Sequence, residues 1–265
     1  MPPPDRMRWW ALVAGVFVAA ILAGTLLLLM RDPAPKAPPP PEGPRPIDIN
    51  PPPLPIPPPP LTHADLVAAS GRAAAAQERG EPAPVTDKEL IGRRFLVRLP
   101  FGCGGVREDE VGAWAYDLQR EALTVQVRPV NWTSAGWVRL LAGAAGVDAV
   151  EGFWLPPAIS EDCAAGVLET PETVGLAMFF EPNSSRVLRR GDRPYEFTGK
   201  ANPPSIEGYR LVLAGRIEGF DGAEPVRCRK DAPPSRSVCL AAVAFDQVAF
   251  EDGATGETLA EWRTN

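Results

Sequence analysis

The 265 residues hold a single histidine, His63. It lies before the region in which a folded domain is legible, so that domain cannot assemble a Ser-His-Asp or Cys-His catalytic arrangement. No Cys-x-x-Cys pair occurs, although structural zinc sites reuse such short spacings. There is no G-x-x-x-x-G-K-[ST] loop and no G-x-G-x-x-G after a strand, which removes the usual phosphate cradles. The glycine-rich "PFGCGG" at 100–105 lacks the lysine and the helical continuation, and reads as a turn holding Cys103. Basic residues are outnumbered, 27 against 33, for a net charge of −6. A nucleic-acid partner is therefore not expected, because phosphate recognition needs a basic face. No internal repeat is found. No catalytic residue, metal or cofactor is expected from these patterns.

Long apolar runs are also scarce, with one exception. Residues 9–30, "WWALVAGVFVAAILAGTLLLLM", carry no charge over 22 positions. About 20 apolar residues in a helix span a ~30 Å hydrocarbon core and satisfy their own backbone there. Trp9 and Trp10 stand at one end, where amphipathic rings favour the interface. A cleaved signal would have a shorter apolar core and a small-x-small site. Here the run ends in "LLLLMRDP", and "LAG" is followed by Thr25 rather than by a lipoprotein cysteine. The expectation is an uncleaved single-pass anchor. Flanking charges do not set its orientation, with Arg6 and Arg8 on one side and Arg31, Lys36 and Arg45 on the other.

Proline is the excess. Residues 33–60 hold 16 prolines in 28 positions. Proline fixes φ and has no N–H, so helix and central strand are both excluded. The remaining conformer is polyproline II, which at ~3.1 Å per residue would reach roughly 87 Å. A spacer is the simplest reading, although PxxP spacings that could meet an aromatic groove are present. Next comes "LTHADLVAASGRAAAAQERG", where Thr62 and Asp65 form a capping-box pattern and Gly80 marks a stop. With only Leu61, Leu66 and Val67 large and apolar, this helix is expected to bury little and to act as a stem, with His63 solvated at its start.

From Glu89 onward the period is two. Phe95, Val97, Leu99 and Phe101 share one face, as do Leu123, Val125 and Val127. Segments "WAYDLQREA", "LAMFFE", "YRLVLAGRI" and "SVCLAAVAF" are strand-like, and "DGATG" between apolar runs signals a hairpin. "SAGWVRLLAGAAG" predicts a short helix with Trp137, Leu140, Leu141 and Ala144 on one face behind a Ser134 cap. The expected fold is mainly β, an antiparallel sandwich or partly open barrel with one or two short helices. The predicted organisation is a cytoplasmic tail (1–8), an anchor (9–30), a proline-rich linker (31–60), an Ala-rich helical stem (61–88) and an exported β domain (89–265).

Cys103, Cys163, Cys228 and Cys239 are separated by 60, 65 and 11 residues. In an exported domain they are expected to form two disulfides in one of three connectivities, with Cys228–Cys239 and so Cys103–Cys163 preferred, and four reduced, buried cysteines are the alternative. Four tryptophans, Trp114, Trp132, Trp137 and Trp154, fall within 41 residues. Trp114, Tyr116, Trp132 and Trp154 are candidate binding aromatics, since an exposed Trp can stack on a sugar or anchor a protein. Core filling is the alternative. Glu108, Asp109, Glu110, Glu151, Glu161 and Asp162 could supply a carboxylate pair for a hydrolase, which depends on a separation that sequence does not show. Asn131 and Asn183 begin Asn-x-Ser/Thr triplets.

The layout of residues 1–60 resembles envelope proteins with a cytoplasmic stub, one anchor and a proline-rich spacer, such as TonB-type energy transducers. The chain departs from them in having no histidine in its apolar run. The expected function is that of a single-pass protein of the inner membrane. Its periplasmic β domain would bind or position another envelope component, a protein or a wall glycan. A tethered carboxylate hydrolase, a transducer and a scaffold subunit are the alternatives.

Overall fold

The computed structural model describes residues 57–82, 84–142, 146–156, 163, 173–182, 187–230 and 237–264. The apolar run 9–30, the linker before Pro57, and Ala144, Glu161, Asp162 and Asn183 lie outside them. Among the described residues no helix is long and apolar enough to cross a membrane.

Alternation of apolar and polar side chains produces the first strand, β1 (Arg94–Phe101), with Phe95, Val97, Leu99 and Phe101 all buried. It continues through β2 (Ala113–Asp117) and β3 (Ala122–Val127), where Leu123, Val125 and Val127 face inward. The remaining strands are β4 (Val130–Asn131), β5 (Ala149–Leu155), β6 (Thr173–Phe180), β7 (Tyr195–Lys200), β8 (Tyr209–Ile217), β9 (Val226–Lys230), β10 (Ser237–Asp252) and β11 (Thr258–Arg263). They form two sheets, neither closed into a barrel. The larger runs β1-β8-β10-β6-β5-β4, with β9 and β11 also on β10, and the smaller is β2-β3-β7. Trp114 meets Tyr209 at 6.2 Å, and Tyr195 meets Trp262 at 5.0 Å, so the small sheet packs its aromatic side onto the large one.

The 16-residue β10 organises the large sheet. Its first half pairs with β9 and β6, and its second half with β8 and β11. Ala242 N–H donates to Pro225 while its carbonyl accepts from Glu218, which puts β9 and β8 on one edge. A register shift between Phe245 and Gln247 bends the strand midway. The expected all-antiparallel sheet is corrected at one place, since β6 runs parallel to β10. Three strands intervene between them in sequence, as a parallel pair requires a crossover.

The helix His63–Glu78 begins with the expected capping box. Asp65 N–H donates to Thr62 Oγ1, and Thr62 N–H donates to the Asp65 carboxylate. That pairing holds the Asp65 carboxyl below its ordinary value. The expectation that this helix buries little is corrected. Leu66, Ala69, Ser70, Ala73 and Ala74 form one buried stripe at helical spacing. Alanines carry little hydrophobic signal, but their small size lets the helix approach the sheet closely. Gln77 Nε2 donates to the Cys228 carbonyl, and Arg72 binds Asp87 bidentately through Nε and Nη2 onto one oxygen. The short helix Gly136–Ala142 is also shifted from expectation. Val138 is its fully buried residue, while Leu140 is 84% exposed.

His63 is likewise not solvated. It is 3% exposed, and burial holds its pKa below the ordinary value against a hydrogen bond to the Pro156 backbone. In the unfolded chain the ring titrates near pH 6.5, so at lower pH the unfolded state binds more protons than the folded one. The stability held by neutral His63 is therefore complete above about pH 6.5 and is lost as pH falls through the lowered folded value. Urea unfolding at a series of pH values should show this slope, and His63→Gln should flatten it. An unchanged slope in the variant would mean that another group sets it.

Candidate functional site

β6 and β10 stay paired only as far as Ala177 and Ala242. Beyond that point β10 follows β8, and the two chains part. The space between them is a cleft of about 800 Å³ with Met178 and Phe179 on one wall, Val243 and Ala244 on the other, and the Glu218–Gly222 turn across its end. Phe179 and Phe220 meet edge to face at 5.3 Å in its base. Glu181, Glu218 and Asp221 stand on its lip. Arg227 lies 5.0 Å over the Phe220 ring and is neutralised by Glu224 at 2.7 Å and Asp221 at 3.2 Å. Among the described residues the lip consequently remains net negative through Glu181 and Glu218. An apolar floor under carboxylates suits a segment carrying both apolar and basic side chains.

Of the carboxylates that could supply a hydrolase pair, Glu108, Asp109, Glu110 and Glu151 are among the described residues. Asp109 accepts from the backbone N–H groups of Gly102, Val111 and Gly112, so it is a turn former. Glu108 and Glu110 are exposed on the same loop. Glu151 is 4% exposed on β5. It accepts from the N–H groups of Arg190 at 2.7 Å and Gly191 at 3.0 Å, with Arg189 Nε at 3.8 Å. Arg189 also pairs with Asp148. Arg190 lies 4.4 Å over Tyr195, whose hydroxyl donates to Leu188, and burial pushes that phenol up to about 12. Glu151 thus ties the loop before β7 onto β5. Glu151→Ala leaves the partly buried N–H groups of Arg190 and Gly191 without their acceptor, while Arg189 keeps Asp148, and is expected to cost about 3 kcal/mol in urea unfolding at neutral pH. A loss well below ~1 kcal/mol would show that water satisfies those groups instead. Among the described residues no three His, Cys, Asp or Glu side chains are grouped to hold a metal ion.

The four candidate aromatics fall into two clusters. Trp114 and Tyr116 are partly buried against the main core, with Trp114 Nε1 donating to Val106 and Tyr116 hydroxyl to Ala201. Trp132 is buried in a second, smaller cluster, edge to face with Trp154 at 4.9 Å. Trp137 is partly buried beside that cluster, with Arg229 at 5.9 Å over its ring. Asn131 is exposed and turns its side-chain amide to Asp192 and to the Thr133 N–H. Both disulfides are present with the expected connectivity, Cys103–Cys163 and Cys228–Cys239.

The cleft itself is not announced by sequence. Its walls read as two ordinary strands, and only their divergence opens it. Comparison with protein-family models, with curated proteins and with solved structures gave no match.

Proposed function

We propose that the chain is a single-pass membrane protein whose disulfide-stapled β domain is held off the membrane by the proline-rich segment to bind another envelope protein. The observation that carries this reading is the closure of all four cysteines into two disulfides. Disulfides persist in oxidising compartments, so the domain belongs on the exported side of an anchor at 9–30. The cleft between β6 and β10 is the binding face, and its lip charge selects a basic segment. A protein partner is favoured over a glycan because Trp132 is buried and Trp154 packs against it, leaving no shared Trp platform.

The test uses the full chain in isolated membranes. Free thiols are trapped under denaturing conditions and the cysteines mapped with and without reduction. Two disulfides are expected, and four free thiols would place the domain in a reducing compartment and overturn the reading. A photoreactive residue at position 147, on the cleft lining, should then crosslink a partner that one at the exposed Leu118 does not. Glu181→Lys with Glu218→Lys should weaken that adduct about tenfold if the lip selects basic segments. Equal adducts at both positions would remove the cleft from the account.

A further inference from the structure

Pro57 to Pro60 have no N–H to donate. Leu61 is the first residue after them that can enter a ladder, and it does so at once. Its N–H donates to the Arg94 carbonyl at 2.8 Å, and its carbonyl accepts from Leu96 N–H at 2.9 Å. These bonds make a parallel bridge between Leu61 and Phe95 on the open edge of β1. Two residues earlier, the Pro59 carbonyl accepts from Arg93 Nη2 at 2.9 Å. One residue later, Thr62 begins the capping box. Leu61 and Leu66 are both buried in the main core, at the N′ and N4 positions of that helix. This is the spacing of a hydrophobic staple, which fixes the angle at which a chain enters a helix. His63 is buried at the first helical position, with one ring nitrogen bonded to Pro156.

We propose that residues 59–66 are an orienting clamp for the tether. Residues 59–61 enter as a stub strand beside β1 and in the same direction, which fixes the line along which the chain meets the domain. A stiff polyproline segment controls orientation only if its joint is also stiff, because two or three freely rotating residues would erase it. Several contacts oppose a swivel at this joint. The main-chain bonds close Leu61, the arginine holds the last carbonyl that precedes it by two residues, and the cap and staple fix the turn into the helix. Running parallel to β1, the stub takes tension along the strands, so its bonds are loaded together rather than peeled one by one. The clamp gives the buried His63 and the side chain of Arg93 a common purpose. It rests on the reading of the N-terminal segment as a tether, but not on any partner.

The experiment is double electron–electron resonance on the full chain in detergent, with nitroxide-bearing unnatural amino acids at positions 58 and 118. Amide hydrogen exchange accompanies it. A single narrow distance peak is expected, with Leu61 N–H exchanging about 100-fold slower than an open amide. Inserting Gly-Ser-Gly between Pro60 and Leu61 leaves the domain intact and should about double the width of the peak while Leu61 stays protected. Arg93→Ala should broaden it with an unchanged unfolding midpoint. A broad distribution in the parent chain, or an unprotected Leu61, overturns the clamp. Because neither readout involves a partner, that failure is distinct from failure to crosslink one at the cleft.

Discussion

Replacing Gly152 by alanine is expected to destabilise the domain by at least ~3 kcal/mol, and to lower Tm by roughly 6–12 °C. A Cβ at this position would stand 1.8 Å from the Leu176 carbonyl oxygen and 2.9 Å from Cζ3 of Trp132. The first neighbour is backbone of β6, which cannot rotate away. β5 would have to move off β6 along a register that runs from Ala149–Phe180 to Leu155–Val174. The indole blocks relief on the other side, since Trp132 is itself buried and held by Trp154. Movement of β6 would also reshape the wall that Met178 and Phe179 give to the cleft. Gly136→Ala is the control. Nothing lies within 4 Å of the added carbon and no positive φ is required. That change should be neutral or stabilise by up to about 1 kcal/mol. Thermal unfolding of the two variants side by side checks the claim, and equal midpoints would refute it.

Removing Cys228–Cys239 with a paired change to alanine is expected to cost about 3 kcal/mol from loop closure alone. The cost should not be spread evenly. The two cysteines face each other across β9 and β10, and Ser70 O lies 3.7 Å from both sulfurs. Gln77 bonds the Cys228 carbonyl from the same helix. The disulfide is thus part of the surface on which the alanine stripe docks. In the variant, amides of His63–Glu78 should exchange faster than those of β1 and β8. Burial also orders the chemistry of the two bridges. Cys239 is fully buried and Cys228 nearly so, whereas Cys103 and Cys163 are partly exposed. Mild reductant on the folded protein should therefore open Cys103–Cys163 first, because exchange needs thiolate access to sulfur. Timed alkylation and mass mapping reads the order. Simultaneous loss of both bridges would mean that reduction proceeds through global unfolding.

Legibility followed the range of the interaction. β1 and β3 were readable from their alternation, because the period of two is local and one face is buried. The β10–β11 hairpin was readable from its turn, where Asp252 accepts from Ala254 and Thr255. β5 was not, since Glu151 and Gly152 interrupt an apolar run and look like a break. Both residues belong there for tertiary reasons, one to hold a distant loop and one to admit a neighbouring carbonyl. Leu140 was misplaced in the short helix because periodicity finds an apolar stripe but cannot say which side the sheet lies on.

From the sequence alone one can obtain the mainly β character of the domain, the capping box at Thr62 and Asp65, and a preference among the three possible cysteine pairings. These depend on side-chain period, on contacts three residues apart, and on a choice among few connectivities. The tertiary structure alone decided that an alanine helix is packed rather than free, and that His63 is buried. It also decided that β6 runs parallel to β10 and that the two part to open a cleft. Each of these joins residues tens of positions apart, where the free energy comes from shape and close approach. Alanine, glycine and a lone histidine look alike in sequence whether or not a partner surface is there to receive them.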